Sequence, residues 1–181
     1  MKVHFSDFFE IKAELLDEYG AFDPSLINDL PLFIDPFLLF TSSKQEYQYL
    51  HKEIIKYIAF LRDISVQEGI SDGLLEAWFM FPEVRQNWLG YSRSGNGGSG
   101  LGKGFAKSLN NNLHTVFHNF GSETITESSH LEKLCLIKEG VGKDNISDFI
   151  TNIIKKYLLT YTQKISRKLI EPKFIQEHLI N

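Results

Sequence analysis

The apolar positions of this chain recur mostly at three- and four-residue intervals, the spacing that lines one face of a helix. Residues 6–19 open on Ser6, a candidate N-cap, and carry Phe9, Ala13 and Leu16 at that spacing before Gly20, a natural stop. From Lys44 to Ile64 the stripe is unbroken: Tyr47, Leu50, Ile54, Ile58 and Leu61 share one side, and Ser43 with Glu46 has capping-box spacing. Leu74 to Phe81 predicts a short apolar helix that must end near Pro82, and Glu83 to Leu89 carries Trp88 toward Gly90. Leu101 to Phe120 predicts a helix closed by Gly121, and His130 to Lys138 reads as a short helix or strand. Asp144 to about Leu169 predicts the longest helix, with Ile146, Ile150, Ile153, Tyr157 and Tyr161 on one side, until Pro172 breaks it before a short tail helix.

One segment departs from the period. Leu30 to Phe40 is almost continuously apolar and holds Pro31 and Pro36, so it predicts an extended, buried crossing instead of a helix. Asp35 inside it either caps backbone amides near Pro36 or serves a site; a buried carboxylate needs hydrogen-bond partners, and capping supplies them. The expected fold is therefore mainly α, a compact multi-helix domain with one or two short extended segments. A single domain over residues 1–181 is expected, with a subdivision near the glycine-rich stretch 94–104 as the alternative.

Composition narrows the class. With 43% hydrophobic residues and 15 phenylalanines the chain can fill a core, which excludes disorder. Its one cysteine, Cys135, cannot form an internal disulfide, which fits a reducing compartment. No signal-peptide pattern opens the chain and no apolar run is long enough to span a bilayer, so a cytoplasmic protein without a membrane partner is expected. The net charge of −4 is unevenly spread: residues 1–35 hold eight acids against two lysines, whereas residues 143–181 hold seven basic residues against four acids. A basic C-terminal third invites an anionic partner, or packs against the acidic segment.

Three stretches together resemble a group of bacterial hypothetical proteins: Leu30 to Leu39, Asn87-Trp88-Leu89-Gly90, and Gly140 to Phe149. The resemblance covers most of the chain. It implies no established activity and transfers no catalytic residue. It implies a loose association with mobile-element or defence neighbourhoods, and longer relatives of which this chain is a shortened form.

Candidate chemistry centres on Ser94 to Gly104, where six glycines fall within ten residues. Gly97 to Lys103 fits the phosphate-loop frame, but Gly104 stands where the Mg²⁺-holding Ser or Thr belongs. Gly95, Gly97 and Gly100 also fit the dinucleotide fingerprint, which requires a preceding strand that Leu89 to Ser92 does not supply. The following helix says more than the motif. At about 100° per residue, Phe105, Leu109, Leu113, Val116 and Phe120 form one face, and Lys103, Lys107, Asn111, His114 and His118 the other. Gly97, Gly100, Gly102, Lys103, Lys107, His114 and His118 thus form a candidate phosphate-binding surface for nucleic acid or a nucleotide, weighed against an ordinary solvated face.

Metal chemistry has weaker support. His114 and His118 have zinc-ligand spacing, but Thr115 stands where a metalloprotease has Glu, and a third ligand such as Glu127, His130 or Cys135 would have to fold back. No metal site or cofactor is expected on these grounds. Asp35, Asp144 and Asp148 are candidate catalytic carboxylates for an Mg²⁺-dependent, nuclease-like alternative, the last combining with Glu171-x-Lys173. About two acid-x-Lys pairs arise by chance in such a composition, and two occur, Glu10-x-Lys12 being the other. Asp144 and Asp148 read first as acids near a helix start, which its dipole favours. Three functional readings follow: a phosphate- or nucleic-acid-binding helical module, a nuclease-like enzyme, and a protein-interaction subunit without catalysis.

Overall fold

The computed structural model describes residues 3–27, 32–67, 69–84, 101–116 and 141–177. Its axis is α4, Gln45–Ser65, which buries Leu50, Ile54, Ile58 and Leu61 along the predicted stripe. Against that face pack α3 (Pro36–Thr41), α6 (Lys103–Val116) and α7 (Lys143–Ile153), while α5 (Asp72–Phe79) packs on α6. Leu75 and Phe79 of α5, Phe105, Ala106, Leu109 and Leu113 of α6, and Ile146, Phe149 and Ile150 of α7 complete one core with α4. Phe81 and Leu101 exchange backbone hydrogen bonds of 3.3 and 2.8 Å, which brings the chain back to start α6 beside the end of α5. The mainly α expectation holds: among the described residues strand pairing is limited to that bridge and to His4 with Ser25.

The N-terminal region is two helices, not one. α1 (Phe5–Phe9) stops at Glu10, which takes the left-handed conformation, and α2 (Ala13–Tyr19) ends at Gly20 with φ +81°. Ser6 caps nothing; its amide and hydroxyl both donate to the Asp23 carboxylate, which ties α1 to the turn after α2. α8 (Lys155–Leu169) follows α7 and gives way to a 3-10 turn at Pro172–Phe174. Phe9 meets Phe174 at 5.8 Å and Tyr19 meets Tyr161 at 5.3 Å between ring centroids, so α1 touches the turn that follows α8 and the end of α2 touches α8 itself.

Three further expectations are corrected. Leu30 to Phe40 is not an extended buried crossing: among its described residues Pro36 begins α3, where its missing N–H costs nothing, and Leu32, Phe37 and Leu38 are exposed. The capping box at Ser43 and Glu46 does not form; α4 starts one residue later at an N-cap Lys44, whose amide donates to Ser42 Oγ at 3.1 Å. The long C-terminal helix is divided at Ile154, so α4 is longer than either half. The readings at Pro31, Trp88, Glu127, His130, Cys135 and Gly140 lie outside the described residues.

Candidate functional site

α8 carries Lys155, Lys156, Lys164, Arg167 and Lys168 and no acidic residue. Its position explains that composition. The apolar stripe of α7 reaches Ile154 and the half-buried Tyr157 and Leu158; beyond them, Ile165 is the buried side chain of α8. Leaving the core lets a helix keep charge on most of its surface, because cations with long stems cover apolar neighbours while their heads stay hydrated.

Beside α8 runs an open groove of about 1190 Å³. Phe5 and Phe9 of α1 and Phe174 supply its aromatic lining, and Lys155, Lys156, Arg167 and Glu177 its charged groups. Arg167 is held by Glu177 at 2.8 Å and Lys173 by Glu171 at 2.6 Å. Among the described residues no carboxylate lies within ion-pair distance of Lys155 or Lys156. The groove therefore keeps the positive charge of Lys155 and Lys156 unpaired in a lining that also holds three phenylalanines, the combination that tracks a phosphate backbone and stacks its bases.

The face expected on α6 is described only in part. Gly97, Gly100 and His118 lie outside the described residues. Gly102 is exposed, and its carbonyl accepts from Phe105 and Ala106 at the start of α6. The Lys103 ammonium meets Glu76 at 2.7 Å and Asp72 at 3.4 Å, and these carboxylates hold its pKa above the usual lysine value. Lys107 is exposed. His114 is partly buried, with Nδ1 enclosed and without a hydrogen-bond partner among the described residues. Lys103, Lys107 and His114 do share one side of α6, but the first of them is drawn onto α5.

Asp35 N-caps α3, accepting from the Phe37 amide at 2.8 Å. Its neighbour Ile34 donates to Ser147 Oγ at 2.9 Å, which brings this segment onto α7. Asp144 lies in the first turn of α7, where burial pushes its carboxyl up. Asp148, one turn further and buried, is pushed up to about 7 by burial first, then by Glu83 and Asp144. Asp144, Asp148 and Glu83 thus interact, and Glu83 had no signal in the sequence beyond lying next to Pro82. Among the described residues no group of three or more His, Cys, Asp or Glu side chains is placed to hold a metal ion.

The residues that sequence reasoning passed over are Lys155 and Lys156. Their signal was the basic balance of the C-terminal third, which singled out no element until the break at Ile154 gave α8 its own surface.

Fold and groove together define a mainly helical protein with a basic, aromatic-lined helix outside its core. The chain belongs to the family defined by a domain of unknown function, DUF8370, whose model matches residues 10–179. No curated protein and no solved structure matches it.

Proposed function

We propose that this protein is a phosphate- or nucleic-acid-binding helical module whose contact element is α8. One observation carries the reading: Lys155 and Lys156 stand without a carboxylate partner among the described residues, in the same groove that Phe5, Phe9 and Phe174 line. Lys103 contributes less than its sequence position suggests, because Glu76 and Asp72 already answer its charge. The Lys107 side of α6 remains a secondary surface. The setting we infer is bacterial and cytoplasmic, in a mobile-element or defence context. The single cysteine supports the compartment, and among the described residues no helix is long and apolar enough to cross a membrane.

The test is fluorescence anisotropy with single-stranded DNA and RNA and with duplex DNA between about 50 and about 200 mM salt. Binding to at least one of them that weakens steeply with salt supports the reading. Absent binding at the low end, or binding indifferent to salt, removes it.

A protein-interaction role is favoured by a separate observation. Leu32, Phe37 and Leu38 are exposed on and just before α3, a short apolar surface at the edge of the core. Leu38→Asp should leave the thermal melt unchanged while abolishing concentration-dependent association in sedimentation velocity. A monomer at every concentration, with or without the substitution, argues against self-association through α3.

A further inference from the structure

A second cavity, of about 260 Å³, also adjoins α8 and shares Thr160 with the groove. Three segments far apart in the chain build it. Tyr19 and Gly20 come from the end of α2, Lys44, Glu46 and Tyr47 from the start of α4, and Tyr157, Tyr161 and Lys164 from α8. We propose that it is a binding pocket for a phosphate monoester attached to a planar ring, carried either by a free nucleoside monophosphate or by the phosphorylated end of a strand.

The wall chemistry points to that ligand. Four tyrosines in one small cavity give flat apolar surface with hydroxyls at its rim. Their rings are already arranged: Tyr157 and Tyr161 stack at 6.4 Å, Tyr47 meets Tyr157 edge-on at 6.4 Å, and Tyr19 meets Tyr161 at 5.3 Å. Such faces stack on any base. Burial pushes the Tyr157 and Tyr161 hydroxyls up, with Tyr47 adding to both, and both are protonated hydrogen-bond donors at neutral pH. The Tyr161 hydroxyl donates to the Tyr19 carbonyl at 3.2 Å, which orients its ring.

Charge selects the anion. Lys44 and Lys164 outnumber Glu46 in the lining; the Lys44 ammonium lies 4.9 Å from the Tyr47 ring centroid, and Lys168, outside the lining, 5.5 Å from that of Tyr19. The cavity also opens on the first turn of α4, a 21-residue helix whose N-cap Lys44 makes no side-chain cap bond. The positive end of that helix adds to the two ammonium groups, while the Tyr47 and Gln48 amides already donate to the Lys44 carbonyl at 3.0 and 3.2 Å. A quaternary ammonium ligand, the usual guest of a tyrosine cage, meets repulsion here. Glu46 is left to accept from an exocyclic amino group. The volume suits one nucleotide and excludes a longer ligand from full burial.

This pocket stands on its own lining, so it can bind a nucleotide whether or not the groove binds a strand. The test is isothermal titration calorimetry on the full chain with AMP, adenosine and inorganic phosphate. Saturable binding of AMP, at least about tenfold tighter than adenosine or phosphate alone, is expected. Lys164→Glu and Lys44→Glu, both exposed and each checked for an unchanged circular dichroism melt, should each weaken AMP by about tenfold or more. A 5′-phosphorylated trinucleotide that competes with AMP, where its 5′-hydroxyl counterpart does not, assigns the site to strand ends. AMP binding without such competition assigns it to free nucleotides. No saturable binding of AMP or of the phosphorylated trinucleotide overturns the proposal. So does binding that neither substitution changes in folded protein.

Discussion

The Lys103 ammonium lies 2.7 Å from the Glu76 carboxylate, so the cation at the start of α6 is answered before any ligand arrives. A phosphate approaching there must displace Glu76 and Asp72, whereas Lys155 and Lys156 on α8 present no such competition among the described residues. Lys103→Ala should therefore change polynucleotide affinity by less than about twofold. Lys155→Glu with Lys156→Glu should weaken it by about tenfold or more and lower the slope of log K against log salt. Anisotropy titrations across a salt series measure both. The reverse ranking would return the site to α6.

Asp148 should make stability depend on pH. Burial, reinforced by Glu83 and Asp144, holds its folded pKa at about 7, above the value of about 4 that the unfolded chain gives a carboxyl. The folded state thus binds the proton more readily; its advantage is complete below pH about 4 and is lost as pH rises through about 7. Asp148→Asn keeps the shape without the charge. It should raise Tm at pH about 8 by roughly 5 °C and flatten Tm between pH about 4 and about 8. Scanning calorimetry at several pH values decides; an unchanged pH profile would assign the dependence to other groups.

Gly20 sits at φ +81°, where a side chain is strained whatever space surrounds it. An added Cβ would lie 3.9 Å from Tyr161 Oη, an ordinary contact, so the cost is in the backbone. Gly20→Ala should destabilise by about 1 kcal/mol in urea unfolding, and Gly20→Asn by less, because Asn tolerates the left-handed region.

Leu109 is fully buried between α4 and α5, at the centre of the core. Leu109→Ala should cost about 2–5 kcal/mol by chemical denaturation, the spread reflecting how far α6 can settle into the cavity. A smaller loss would mean that the core is less tightly packed around α6 than the contacts imply.

The core was legible because helices advertise buried faces in their period: the α4 stripe of Leu50, Ile54, Ile58 and Leu61 is the one the sequence predicts. Helix limits were less so. The break at Ile154 carries no glycine or proline. There the Asn152 side chain donates to the carbonyls of both Asp148 and Pro82, and the latter contact links positions 70 residues apart. Pro36 misled in the other direction, since a proline that stops a helix interior is well suited to a first turn. On the candidate surface, the spacing of Lys103 and Lys107 was readable, but the carboxylates that meet Lys103 come from α5, 27 and 31 residues away. The tyrosine cavity draws on three separated segments, and no local pattern joins them.

The hydrogen bond from Tyr161 to Tyr19 closes a loop of 142 residues. Contacts of that span are slow to form, because the chain must surrender most of its freedom before they return anything. The helices around α4 can assemble from nearer partners first. The tyrosine cavity should then be among the last features to appear during folding and, in native-state hydrogen exchange, among the first to open. A ligand held there would act as a latch on the two distant parts of the chain, tightening the protein most where its own contacts arrive latest.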